Sequence, residues 1–244
     1  MSKPIAVYGG SFNPPTNAHV QTVEALVANG YQVIVIPCGM RPDKVTTQHV
    51  DTAHRAFMID LAFGQMENVT VDLSDLEREQ FTATIDLDVA LKAKYPDAEI
   101  FHVGGTDLFI GGGEGKSQIQ TSWKEGRKVW ETLQFIVINR PGYEMDMEDF
   151  PPNCRYHNPE ISTVVSSTQV REAIAANRPI DDLIPPRVRN YINRYALYRG
   201  VMLLHPSRVP GLGTRLLIVA DEHNVNAMKL AEQFRHLEVT EHPN

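Results

Sequence analysis

Short apolar runs punctuate the chain at residues 5–8, 33–36, 69–73, 100–103 and 135–138. They are rich in valine and isoleucine and mostly continuous. Runs of this kind predict strands of a parallel sheet covered on both faces. The stretches between them, 17–29, 51–65, 84–95 and 126–132, have the length and spacing of helices, and the first places Val20, Val23 and Val27 on one face. Repeated strand–helix alternation predicts a doubly wound, Rossmann-like α/β fold, a mostly parallel sheet with helices on both faces. Ligands on such sheets bind beyond the carboxyl ends of the strands.

After Asn139 the pattern changes. Pro141, Pro151, Pro152 and Pro159 break a loop-rich passage that runs to Glu160. Helices are predicted at 168–177 and 186–195, the second opened by prolines where a missing N–H costs little. From about Val201 the pattern restarts with a linker at 205–213, a strand at 215–220 and a helix at 224–234. This reads as a small C-terminal α/β appendage, suited to packing or to assembly into a homo-oligomer.

Composition narrows the class. Of 244 residues, 42% are hydrophobic, enough for a sizeable core. Lysine and arginine total 23 against 30 acidic residues, a net charge of −7. Such a balance offers no overall attraction to nucleic acid or an anionic membrane, although a local pocket can still hold phosphate. Two cysteines, Cys38 and Cys154, make neither a disulfide scaffold nor a four-cysteine zinc site. The N-terminal apolar run is too short for a signal peptide, and no stretch of about 20 apolar residues exists to span a bilayer. A cytoplasmic globular protein is expected.

The segment Gly9-Gly10-Ser11-Phe12-Asn13-Pro14-Pro15-Thr16-Asn17-Ala18-His19 carries the most chemistry. A strand runs into a glycine pair, then a proline-stiffened turn, then a helix with His19 in its first turn. Glycines let the backbone approach a phosphate, and a helix N-terminus adds free N–H donors. A histidine there can neutralise charge that develops during phosphoryl transfer. The plain alternative is an ordinary strand–turn–helix connection. A second block, Ile161-Ser162-Thr163-Val164-Val165-Ser166-Ser167-Thr168-Gln169-Val170-Arg171, sets hydroxyls and an N-cap ahead of a helix, with Arg171 in its first turn. Its plain alternative is a capped helix with a solvated arginine.

Together the two blocks resemble the signatures of the nucleotidyltransferase superfamily, G-x-F-x-P-x-[HT]-x-x-H followed by I-S-S-T-x-x-R. Thr16 stands where the family commonly has its first histidine, and Ala18 where the H-x-G-H form has glycine. Between them, His54-Arg55, Phe81-Thr82, Gly105-Thr106-Asp107, Trp123 and Asn139-Arg140-Pro141-Gly142-Tyr143 resemble the nicotinate/nicotinamide mononucleotide adenylyltransferases in kind and order. The resemblance covers roughly residues 3–198. It implies a nucleotidyltransferase domain at 1–200 and an extension of unassigned role at 201–244.

The implied activity is transfer of the adenylyl group of ATP to a pyridine mononucleotide, with release of pyrophosphate and Mg2+ accompanying ATP. His19 and Arg171 are implied as the catalytic pair. Gly10, Ser11, Phe12, Thr16, Gly105, Asp107, Ser166, Ser167 and Thr168 would join them in holding ATP. Lys44 would bind the acceptor phosphate, Trp123 would stack on the pyridine ring, and Phe81 and Thr82 would line its pocket, with Ser11, Phe12 and Arg140 also on the acceptor side. The alternatives are a transferase for another acceptor such as phosphopantetheine, and a non-catalytic nucleotide sensor, which would bind ATP but release no pyrophosphate. The run Gly111–Ser117 suggests a phosphate loop, but Ile110 stands where that motif requires glycine, so it reads as a flexible lid or loop.

Overall fold

The computed structural model describes residues 3–39, 50–159, 161 and 165–199. Lys44, and the strand and helix expected at 215–220 and 224–234, lie outside the described residues.

Six parallel strands form one sheet in the order β3-β2-β1-β4-β5-β6. They are β1 (Ile5–Gly10), β2 (Gln32–Pro37), β3 (Val69–Val71), β4 (Ile100–Gly105), β5 (Phe135–Ile138) and β6 (Cys154–His157). Ile5 faces Gln32 on one side and Ile100 on the other, so the chain reverses its direction of winding between β1 and β4. That reversal opens a crevice at the carboxyl edge of the two central strands.

Alternate residues of β1 feed two cores. Ala6 joins Val33, Val35 and Phe101 beneath α1 (Asn17–Ala28) and α2 (Thr52–Phe63), through Val23, Leu26, Ile59 and Phe63. Ile5 and Val7 face the other way, with Ile34, Ile100 and Leu91 of α4 (Thr84–Lys94). Burial on both faces is why these strands read as unbroken apolar runs.

Two short helices, α3 (Ser74–Glu77) and α5 (Gln118–Ser122), and the strand β6 lack that signal. β6, Cys-Arg-Tyr-His, lies inside the passage expected to be loop. It is an edge strand that pairs only with β5 and exposes Arg155 and Tyr156, so it needs no apolar run.

The run Gly111–Ser117 is a packed turn rather than a flexible lid. Gly112 is buried where a β-carbon would overlap the Trp130 ring, a residue of α6 (Gly126–Thr132), and Gly113 donates to the Asp149 carboxylate at 3.3 Å.

Among the described residues the last two helices, α7 (Ser167–Ala175) and α8 (Pro186–Arg194), cover the outer side of α2. Val170, Ala173 and Ile174 meet Met58, Val188 and Ile192 there. That seam holds the start of α7 against the mouth of the crevice.

Candidate active site

A cleft of about 720 Å³ occupies the crevice. The end of β1 contributes Tyr8, Gly9, Gly10, Ser11 and Phe12, and α1 contributes His19 and Thr22. Gly104 and Gly105 end β4 and Asp107 follows it; Asn139, Arg140 and Tyr143 follow β5; Ser166, Ser167, Thr168, Gln169 and Arg171 close the cleft from the start of α7.

Phe12 is a bulky residue in left-handed backbone, φ 43°, a conformation costing on the order of 1–3 kcal/mol. Its buried ring offsets the cost by packing edge-on against Tyr8 at 5.4 Å, His19 at 5.1 Å and Phe63 at 5.6 Å. A β-carbon on Gly10 would come within 2.9 Å of that ring, so the second glycine of the pair is sterically required.

Thr16 is fully buried and caps α1 rather than lining the cleft. Its N–H donates to His19 Nδ1 at 2.9 Å, its Oγ1 lies 2.8 Å from the same nitrogen, and the His19 N–H returns to Oγ1 at 3.4 Å. This is a capping box in which histidine takes the place usually held by glutamate or glutamine. Because Nδ1 accepts, the neutral ring carries its proton on Nε2, the nitrogen remote from the cap. Burial is the main reason the Tyr8 phenol is pushed up to about 12, its hydrogen bond with Thr22 working the other way, so it remains a neutral hydroxyl.

Helix α7 begins one residue earlier than expected, with Ser166 as N-cap in a second capping box closed by Gln169. Arg171 is therefore one turn inside the helix and reaches back. Its Nη1 donates to the Asn13 carbonyl at 2.7 Å and its Nη2 to Thr168 Oγ1 at 3.0 Å. Ser167 Oγ donates to the Pro14 carbonyl at 2.8 Å. The two sequence blocks thus meet directly. Burial lowers the Arg171 pKa, a trend the nearby Tyr198 and Glu172 oppose.

On the far wall Arg140 pairs with Asp107 at 2.7 Å and lies over the Tyr143 ring at 5.4 Å. Buried Thr106 accepts from the Arg140 N–H at 3.0 Å, binding the ends of β4 and β5 together. Phe81, Thr82 and Trp123 are not among the residues lining the cleft. Thr82 bonds Asp75 through both N–H and hydroxyl, at 2.9 and 2.6 Å, and Trp123 caps α5 against the cluster of Ile85, Phe109 and Val129. Among the described residues no group of three or more histidine, cysteine or carboxylate side chains could hold a metal ion. The cleft is lined mainly by donors: amides at helix starts, hydroxyls, an imidazole and the guanidinium groups of Arg140 and Arg171, with the Asp107 carboxylate already paired to Arg140. It suits a polyanion.

The cytidylyltransferase-like family model matches residues 7–173. The chain belongs to this family. Among curated members it is 30% identical over 200 residues to the nicotinate-nucleotide adenylyltransferase of Bacillus subtilis (strain 168), covering 81% of this chain and all of that one. A solved structure of Plasmodium falciparum nicotinic acid mononucleotide adenylyltransferase complexed with NaAD superposes with a TM-score of 0.63 at 28% identity, covering 81% of this chain and 98% of that one. The same Plasmodium enzyme complexed with APC gives a TM-score of 0.60 at 26% identity, with the same coverage. No helix among the described residues is long and apolar enough to cross a membrane.

Tyr8, Asn13, Gln169 and Arg55 are site or supporting residues to which the sequence alone attached no role. For Arg55 a signal existed, an arginine within the helical segment Thr-Ala-His-Arg-Ala-Phe-Met-Ile.

Proposed function

We propose that the protein transfers the adenylyl group of ATP to a pyridine mononucleotide, in the service of NAD biosynthesis, with nicotinate mononucleotide as its acceptor. The names of its relatives favour nicotinate over nicotinamide. The observation that carries the reading is the junction of the two phosphate-binding segments, Arg171 on Asn13 and Ser167 on Pro14, at one cleft.

The acceptor phosphate is already an anion at neutral pH, so no general base is needed. One of its oxygens bonds to the α-phosphorus of ATP, while the bond from that phosphorus to the oxygen bridging toward the β-phosphorus breaks. The electron pair leaves with pyrophosphate. Catalysis is then positioning of two polyanions and stabilisation of the charge that moves between them. His19 Nε2–H donates to the reacting phosphate, the tautomer having been fixed by Thr16. The start of α7 and Arg171 hold the departing phosphates. Asp107 and Gly105 serve the adenosine side, and Trp123, Phe81, Thr82 and Lys44 the acceptor side. Magnesium enters on the triphosphate as part of the substrate.

The test is direct. Purified protein with magnesium and ATP is given nicotinate or nicotinamide mononucleotide, and pyrophosphate and dinucleotide are measured. Formation of the nicotinate dinucleotide at the higher kcat/KM is expected; no pyrophosphate release with either acceptor refutes the reading.

A further inference from the structure

Arg55, near the N-terminal end of α2, has no exposed surface at all. One terminal nitrogen, Nη2, donates to two carbonyls, Ser11 in the phosphate loop and Cys38 just after β2, both at 2.7 Å. The same two segments already meet through the Cys38 N–H and the Gly10 carbonyl at 2.9 Å. The remaining donors, Nε and Nη1, are buried with no hydrogen-bond partner among the described residues. A buried cation left half unsatisfied is a poor device for stability, since an apolar residue of similar volume avoids the desolvation altogether. Its value lies in the two carbonyls it orients.

The Ser11–Phe12 peptide is trans and planar, so its N–H points opposite to its C=O. We propose that Arg55 is a positioning residue: by drawing the Ser11 carbonyl into the interior, it turns the Phe12 N–H outward to the phosphate of bound ATP. The contact with Cys38 fixes the loop to the neighbouring strand at the same time. The left-handed backbone of Phe12 is the local distortion this arrangement sustains. Arg55 touches no substrate; it acts through one peptide.

This inference rests on the adenylyl-transfer reading, and its test separates the two. Wild-type turnover tests the reading itself. Arg55→Met and Arg55→Lys, checked for a cooperative thermal transition, test the positioning. Affinity is measured by calorimetry for ATP and for adenosine, alongside kcat. Arg55→Met is expected to weaken ATP at least 10-fold while adenosine binding stays within twofold, and to lower kcat on the order of 100-fold, the usual effect of a small misplacement at a reacting centre. Arg55→Lys, which retains a donor, should recover part of both losses. Equal losses for ATP and adenosine would mean general loosening and overturn the proposal, as would unchanged ATP affinity and kcat in either variant. A measurement on the unaltered protein covers the case in which the variants do not fold. The Phe12 amide proton should shift downfield when ATP is added and stay in place with adenosine; an unmoved Phe12 resonance with ATP overturns the proposal.

Discussion

The guanidinium of Arg171 and the main-chain carbonyl of Asn13 meet at 2.7 Å across 158 residues of sequence. Arg171 therefore braces the segment that carries Asn13, and in the proposed reaction it also meets the charge of the ligand. Arg171→Lys keeps the charge but loses the two-pronged grip on Asn13 and Thr168. A rise in the KM for ATP of roughly 10-fold is expected, with a lesser loss in kcat. Steady-state kinetics at saturating acceptor provide the check; an unchanged KM would leave Arg171 as a loop clasp alone.

His19 is expected to act mainly in the transition state. His19→Ala should lower kcat on the order of 100- to 1000-fold, the usual cost of a lost preorganised donor, with ATP affinity nearly intact. Combined with Arg171→Lys the losses should be non-additive if both groups serve one anion. Near wild-type kcat in a folded His19→Ala protein would return this segment to an ordinary strand–turn–helix.

Thr16→Val retains the N–H that His19 Nδ1 accepts but removes the capping hydroxyl. It should cost about 1 kcal/mol of stability, visible as a lower denaturant midpoint. A kcat reduced severalfold at constant KM would mark Thr16 as the residue that orients the imidazole; a loss of stability alone would make it only a cap.

Trp123 stands off the cleft lining, packed at the end of α5. Its proposed role over the pyridine ring is decided by Trp123→Ala. Stacking contributes roughly 0.5–1.5 kcal/mol, so the acceptor KM should rise about 2- to 13-fold while that for ATP stays put. A lower Tm with both KM values unchanged assigns Trp123 to packing.

Acid should weaken the fold through Asp88. Its buried carboxylate faces His102 of β4 at 3.1 Å and Lys92 at 2.8 Å. Burial alone would push this carboxyl up, but the hydrogen bonds and charges of His102 and Lys92 outweigh it and hold the group below its ordinary value. The stabilisation is complete above the unfolded carboxyl value near 3.9 and disappears as pH falls through the lower folded value. Asp88→Asn should cost about 1–2 kcal/mol at neutral pH through its lost hydrogen bonds, and the gap from wild type should narrow below about pH 4. Thermal melts across about pH 2.5–7 measure the effect; a gap independent of pH would mean that the Asp88 carboxyl binds its proton equally well in the folded and the unfolded chain.

The fold was legible wherever burial wrote itself as an apolar run. Val33 to Ile36 and Phe135 to Ile138 announce central strands because both faces of those strands are covered. Edge strand β6 carries Arg155 and Tyr156 instead, and local periodicity does not register a strand that needs only one partner. Within the cleft, the spacing of glycines, hydroxyls, His19 and Arg171 was readable because those groups lie along two continuous segments. What Thr16 does for His19 was hidden, since the usual box ends in glutamate or glutamine. The ties of Arg171 to Asn13 and of Arg55 to Ser11 are tertiary and leave no local trace. Gly112 read as freedom because glycine is flexible in isolation; here it is small, and smallness lets Trp130 in.

The span between Asn13 and Arg171 also sets the order in which competence can arise during synthesis. The glycine pair, Phe12 and His19 emerge within the first turn of the fold, together with the strand that carries them. The clasp that completes their site comes from a helix made some 158 residues later, seated on α2 by Val170, Ala173 and Ile174. A chain growing from its N-terminus at about 5–20 residues per second has the early segment in hand for many seconds before α7 is made. In the proposed reaction nucleotide capture thus belongs to a chain already grown past α7, and a nascent or truncated product ending before α7 carries the first motif without the clasp that completes it.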